Sequence, residues 1–382
     1  MRTLLLFLAA LIAFTLQPQA GAQAQTYYVY VAAESDDQVY LVSYNAQTGE
    51  GAVEDAVAVG QWPTENEGPH GINISPDGEH WYLSIAHGNP YGWLYKYTTG
   101  TNEMVARTEL GMFPASMEIS RATGLLYVVN FNLHGDHEPS TVSVVDPEVM
   151  EEITKIPTGI MPHGSRITED GRRQYHVSMM TDELMEINTA TMKISRRLGL
   201  RRDGGPDHPV DEGGMSGHAE MGGMSDGSGM SGMQPEVKPT WADPHPDRPM
   251  VYVAGNGSDE ILEIDRESWS VTRRFQAPEG SAPYNLEVAH DGRYLVASYK
   301  SGGTTGVWNL DSGEEVAVIP NSRTVTHGVS ISPDSRFAFI SVEGKGGEPG
   351  SVDVIDLQRL ERTAVIEVGK QAGGIIHWKT ER

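Results

Sequence analysis

Apolar and polar residues alternate along most of this chain in short runs, each closed by a polar turn. Leu126-Tyr127-Val128-Val129, Thr141-Val142-Ser143-Val144-Val145-Asp146, Val251-Tyr252-Val253-Ala254 and Ile261-Leu262-Glu263-Ile264-Asp265 are rich in β-branched and aromatic residues, which predicts strands. No helical periodicity is sustained anywhere, so the expected class is all-β. Asp-Gly pairs such as Asp77-Gly78 and Asp170-Gly171 suit tight hairpins, because Gly accepts a positive φ and Asp tolerates one.

The runs belong to a repeat. Pro69-His70-Gly71-Ile72-Asn73-Ile74-Ser75-Pro76-Asp77-Gly78 returns as Pro162-His163-Gly164-Ser165-Arg166-Ile167-Thr168-Glu169-Asp170-Gly171. It returns again as Thr326-His327-Gly328-Val329-Ser330-Ile331-Ser332-Pro333-Asp334-Ser335, with weaker copies from Pro114, Pro239 and Pro283. Alignment makes His70, Ala115, His163, Thr240, Tyr284 and His327 equivalent, at spacings of 45, 48, 77, 44 and 43. A period of about 45 fits one four-stranded propeller blade. Residues 27–33, 38–44 and 53–59 read as three strands lacking a first, and 372–378 as a first strand lacking its followers. The expected architecture is therefore a seven-bladed β-propeller of four-stranded blades, closed by pairing the N-terminal strands with the C-terminal strand.

The phrases Leu126-Tyr127-Val128-Val129-Asn130, Ser140-Thr141-Val142-Ser143-Val144-Val145-Asp146 and Ile74-Ser75-Pro76-Asp77-Gly78 resemble the YVTN-repeat β-propeller family over nearly the whole chain after residue 24. That family is similar in architecture to the propellers of nitrous oxide reductase and of the haem d1 domain of cytochrome cd1. The resemblance implies a fold; the same fold hosts many activities.

The first 24 residues change the picture of location. Arg2, the apolar run Leu4 to Leu16 and the small residues around Ala20 to Ala24 form an expected signal peptide at 1–24, leaving a single propeller domain at 25–382. A periplasmic or secreted protein with no membrane span follows, since the run is shorter than the roughly 20 residues a crossing needs. Zero cysteines exclude disulfides, thiolate ligands and Cys nucleophiles. A formal charge of -24 disfavours nucleic acid, whose affinity comes largely from Lys and Arg. A monomer is expected.

Candidate chemistry collects on one face. First strands begin there, and loops between second and third strands return there. His70, His163 and His327 start first strands, while His87, His134 and His137 fall in such loops. The long interval between His163 and Thr240 holds a flexible insertion at 201–237, containing His208, His218, Met215, Met221, Met224, Met230 and Met233. Its methionines have no apolar periodicity to pack with. Thioethers suit Cu(I) and imidazoles suit Cu(II) or Zn(II), so this face is a candidate transition-metal site. An exposed polar loop, a low-complexity insertion and repeat-encoded histidines bonded to backbone explain the same residues without metal. His80, His176, His245, His290 and His377 are read as structural or exposed.

Three functions remain. The first is an exported carrier or sensor that binds copper or zinc at the channel mouth. The second is a metal-free scaffold or ligand-binding propeller, with Trp62, Tyr91, Trp93, Trp241 and Tyr284 able to line a site for a protein or small molecule. The third is a metal-dependent enzyme of the propeller mouth. Nitrous oxide reductase holds its catalytic copper through propeller histidines and needs cysteines in a second domain, and this chain has a partial set and no Cys. Glu118, Asp243 and Glu287 recur at one first-strand position, read as polar channel lining. No catalytic residue is assigned.

Overall fold

The computed structural model describes residues 25–62, 64–88, 90–202 and 234–382. Residues 1–24 and 203–233 lie outside it, and with them the expected signal peptide and His208, His218, Met215, Met221, Met224, Met230 and Met233. Seven four-stranded antiparallel sheets form a ring, a seven-bladed β-propeller. The first strand of each blade is innermost and packs on the first strands of both neighbours. Starting from the closing blade, these strands are Ala372–Glu381 (blade 1), Pro69–Ile74 (2), Pro114–Ile119 (3), Pro162–Ile167 (4), Pro239–Pro244 (5), Pro283–Val288 (6) and Val325–Ile331 (7). The ring closes as the sequence predicts, with Thr26–Ala33 paired antiparallel to the C-terminal strand, Tyr30 opposite Ile376.

Core clusters lie between adjacent blades. Tyr27, Val29 and Tyr44 of blade 1 pack on Phe337, Phe339 and Val354 of blade 7. The Ser-Pro-Asp-Gly phrase has a local cause. The Ser75 hydroxyl donates to Asp77 and accepts the His80 amide, and Gly78 takes φ +74°. Ser332 and Asp334 repeat the arrangement.

Two belts tie blades to the first strand of the following blade. Near the mouth, hydroxyls of one blade donate to the carbonyl of the next blade's aligned residue: Ser84 to Ala115, Ser116 to His163, Thr240 to Tyr284, Ser298 to His327 and Ser341 to Gly373. Farther along, Glu118, Asp243 and Glu287 accept the amides of Ile167, Val288 and Ile331 in the following blades. The recurring carboxylates are thus inter-blade acceptors as well as channel lining.

The expected insertion 201–237 is described only at its ends, residues 201–202 and 234–237. The Asp182 carboxylate accepts the amides of Glu236, Val237 and Lys238, and Val237 is fully buried, so these residues belong to the propeller. A buried apolar side chain and a shared carboxylate hold the chain down where composition alone suggested a loop.

Candidate functional site at the channel mouth

The repeat places one residue per blade near the start of each first strand, at its second position or, for His327, its third: His70, Ala115, His163, Thr240, Tyr284, His327 and Gly373. Strand pairing defines another ring, the residue of each second strand or its following loop that comes just after the partner of the first-strand entry residue. Pro114 faces Asn130, so Phe131 occupies it; Pro283 faces Tyr299, so Lys300 does. Thr326 faces Val342 and Ala372 faces Ala33, which adds Glu343 and Glu34. The two rings meet at the mouth.

There His70 stands with ring centroids 6.1 Å from His163 and 5.8 Å from His327. Tyr284 fills the space between the other two, 5.2 Å from His163 and 4.7 Å from His327. His163 Nδ1 lies 2.9 Å from the Thr240 carbonyl, which can only accept, so Nδ1 carries the proton and Nε2 the lone pair. Tyr284 donates its hydroxyl to that Nε2 at 3.0 Å. His70 Nδ1 donates to Glu34 at 2.8 Å, and the other Glu34 oxygen accepts from His87 Nε2 at 2.8 Å. His327 Nε2 is 3.7 Å from Glu343, which also pairs with Lys300 at 3.4 Å. The Lys300 ammonium sits 4.0 Å from the Tyr284 ring centre.

Burial sets the charge states. It pushes His163 down to about 3, helped by His70 and Lys300, and it holds His327 well below the ordinary histidine range. Both are neutral lone-pair donors near pH 7. Burial alone would raise the Glu34 carboxyl, but the His70 and His87 imidazoles hold it below the usual carboxylate range. Its hydrogen bond in turn raises His87.

Of the residues read from sequence, His70, His163 and His327 converge in the channel. His87 reaches the same cluster through Glu34. His134, though exposed, lies 5.7 Å from His87 and 5.2 Å from Phe113, ring to ring. His137 is exposed in the same loop. Among the described residues, the trio of donor atoms within 4.8 Å of one another is Asp77, Glu79 and His80, at a surface turn on the opposite face. His245, on the opposite face, is tied to the Gly292 carbonyl and the Asp247 and Arg248 amides; His176 is buried against Thr158 and Gln174.

Sequence reasoning missed Glu34, Lys300 and Glu343. The topological rule that brought His87 to the mouth applied equally to them, since Glu34 and Lys300 follow second strands and Glu343 ends one. Trp241 and Tyr284 are buried at the mouth, whereas Trp62 and Tyr91 are 64% and 50% exposed beside a groove of about 460 Å³ that also includes His87 and Trp93.

No family model and no curated protein matches this sequence. Among solved structures, the chain is similar to Kuenenia stuttgartiensis hydrazine synthase, at 19% identity and TM-score 0.57, over 79% of this chain and 80% of that one. It is also similar to a functionally unknown protein from Desulfotomaculum acetoxidans, at 13% identity and TM-score 0.64, over 92% and 98%. A third, a proposed 6-phosphogluconolactonase from Bacteroides fragilis, aligns at 13% identity and TM-score 0.65 over 96% and 100%. Likeness at these identities is a likeness of fold: the chain is a seven-bladed β-propeller.

Proposed function

We propose that this chain is an exported propeller of YVTN type that binds a transition ion, copper or zinc, at the channel mouth, and serves as a carrier or sensor. One observation carries the reading. Two of three clustered channel histidines have Nδ1 fixed by an acceptor, Glu34 or the Thr240 carbonyl, which leaves Nε2 as the donor atom. Imidazoles that bind metals are oriented by this kind of partner. Neutral His163 and His327 need no deprotonation to ligate. Tyr284 either releases Nε2 of His163 to the ion or joins as a fourth ligand, completing the coordination number usual for zinc. The methionine-rich segment suits capture of Cu(I) in a chain without cysteine.

Titration of metal-stripped full-length protein with Cu(II) and Zn(II) tests this. His70→Ala and His163→Ala are each expected to weaken binding by at least about tenfold, the scale of losing a metal ligand or its orienting partner. Deletion of residues 204–234 is expected to slow or weaken capture without abolishing it. Binding that is indifferent to all three channel histidines would overturn the assignment. The exposed groove of Trp62, Tyr91 and Trp93 favours a second reading, a metal-free propeller that binds a protein or small molecule beside the mouth. Metal analysis of protein from its native compartment separates the two.

A further inference from the structure

Beneath the three histidines the channel narrows to a cavity of about 40 Å³. Three buried polar atoms of residues that line it find no partner among the described residues: the Trp241 indole N–H, Asn285 Oδ1 and His327 Nδ1. Their residues are 7%, 4% and 6% exposed. An unpaired buried polar group costs about 1–3 kcal/mol, so three around one small cavity mark a place built to receive something polar.

The lining gives its chemistry. Trp241 can only donate, and the Arg166 guanidinium, stacked 4.8 Å from the Trp241 ring, presents five N–H groups of which Nη1 bonds the Ser165 carbonyl. Asn285 offers either its oxygen or, turned over, its NH₂. Among the described residues no carboxylate lines this chamber. One water needs about 10–15 Å³ of such volume, which leaves room for about three heavy atoms. The geometry points to a binding site for a small inorganic or carboxylate monoanion in this chamber, held by Trp241 Nε1, Arg166 and the Asn285 amide. The site is formed by the channel itself and does not depend on a metal above it.

The test uses metal-free full-length protein titrated calorimetrically with azide, nitrite and formate. At least one is expected to bind saturably at one site. Trp241→Phe, which keeps the ring and removes the donor, is expected to weaken it about fivefold, and Asn285→Asp, which sets a charge of the anion's own sign in the chamber, to weaken it more. The wild-type protein provides a readout free of folding defects: the ¹⁵N-indole resonance of Trp241 should shift with anion concentration while that of exposed Trp62 stays in place. Absence of saturable binding by all three anions, a still Trp241 resonance, or equal affinity in both folded variants overturns the site. Since the protein is metal-free, none of these results bears on the metal titration.

Discussion

Glu118, Asp243 and Glu287 share one position in three blades, and each accepts a backbone amide of the next blade. They face a channel compartment of about 320 Å³ on the far side of Arg166. Burial pushes all three up to about 7, with Arg166 pulling the other way and each group raised further by a neighbouring carboxylate. In the unfolded chain they titrate near 4, so the folded protein holds more protons between about pH 4 and 7. Stability from these groups is therefore full below about pH 4 and is lost as pH rises through 7. The buried His176 and the half-buried His377, pushed down to about 3 and about 4, act oppositely and lose their contribution as pH falls below 6.5. Glu287→Gln keeps an acceptor for the Ile331 amide and removes the charge. It should raise stability by about 1 kcal/mol at roughly pH 8.5 and leave it unchanged near pH 4, read from thermal melts. Equal shifts at both pH values would contradict the assigned protonation. That these positions recur was legible in the sequence, but their amide partners were not. The partners lie 44 to 49 residues away, across a blade boundary.

At the scale of the strand, the structure explains why histidine is followed by glycine in the repeat. A Cβ on Gly71 would lie 1.9 Å from the Ala115 carbonyl oxygen, one on Gly164 2.4 Å from that of Thr240, and one on Gly374 2.1 Å from that of His70. The next blade's backbone occupies the space a side chain needs. Neighbouring first strands can therefore approach closely enough for the hydroxyl belt to form, and that belt fixes the carbonyls of His163 and His327. Gly71→Ala should destabilise by about 1–3 kcal/mol, since a backbone atom cannot rotate out of the way as a side chain can. Ser84→Ala leaves the Ala115 carbonyl and the Gly71 amide short of a partner and should cost a similar amount. Denaturant melts of the two single variants and of the double variant check the coupling. Because both act on one contact, the double variant should fall short of the sum. The repeat phrase let the histidine register be read from sequence. Glu34, Lys300 and Glu343 carry no shared motif; only the register of paired strands aligns them. Glu34 moreover sits in a short 3₁₀ turn, Glu34–Asp36, the one such turn among the described residues. Glu236 and Val237 read as part of a polar insertion, while what holds their amides is Asp182, more than fifty residues earlier.

For the whole molecule, everything at the mouth depends on a closed ring. The C-terminal strand Ala372–Glu381 is the innermost strand of blade 1 and touches the first strands of blades 2 and 7. Ala372 and Ile375 belong to the core between blades 1 and 7. Trp378 packs 5.6 Å from Tyr30, ring to ring, and donates Nε1 to the Gly78 carbonyl of blade 2. A chain ending at residue 371 would keep 27 of the 28 described strands yet lose the contact that sets the spacing of His70 and His327, which flank the missing strand. It would also leave the edge of Thr26–Ala33 unpaired, a hydrogen-bonding template flanked by apolar residues. Such a chain should lose its single cooperative melt and associate, as judged by scattering and size exclusion. A peptide of residues 372–382 added in trans should restore both, because strand addition to an exposed edge needs only the missing backbone and its alternate side chains. A truncated chain that stays monomeric and melts within about 5 °C of the full protein would mean that six blades hold their curvature unaided. In that case the spacing of the mouth histidines would be a property of the separate blades and not of the ring.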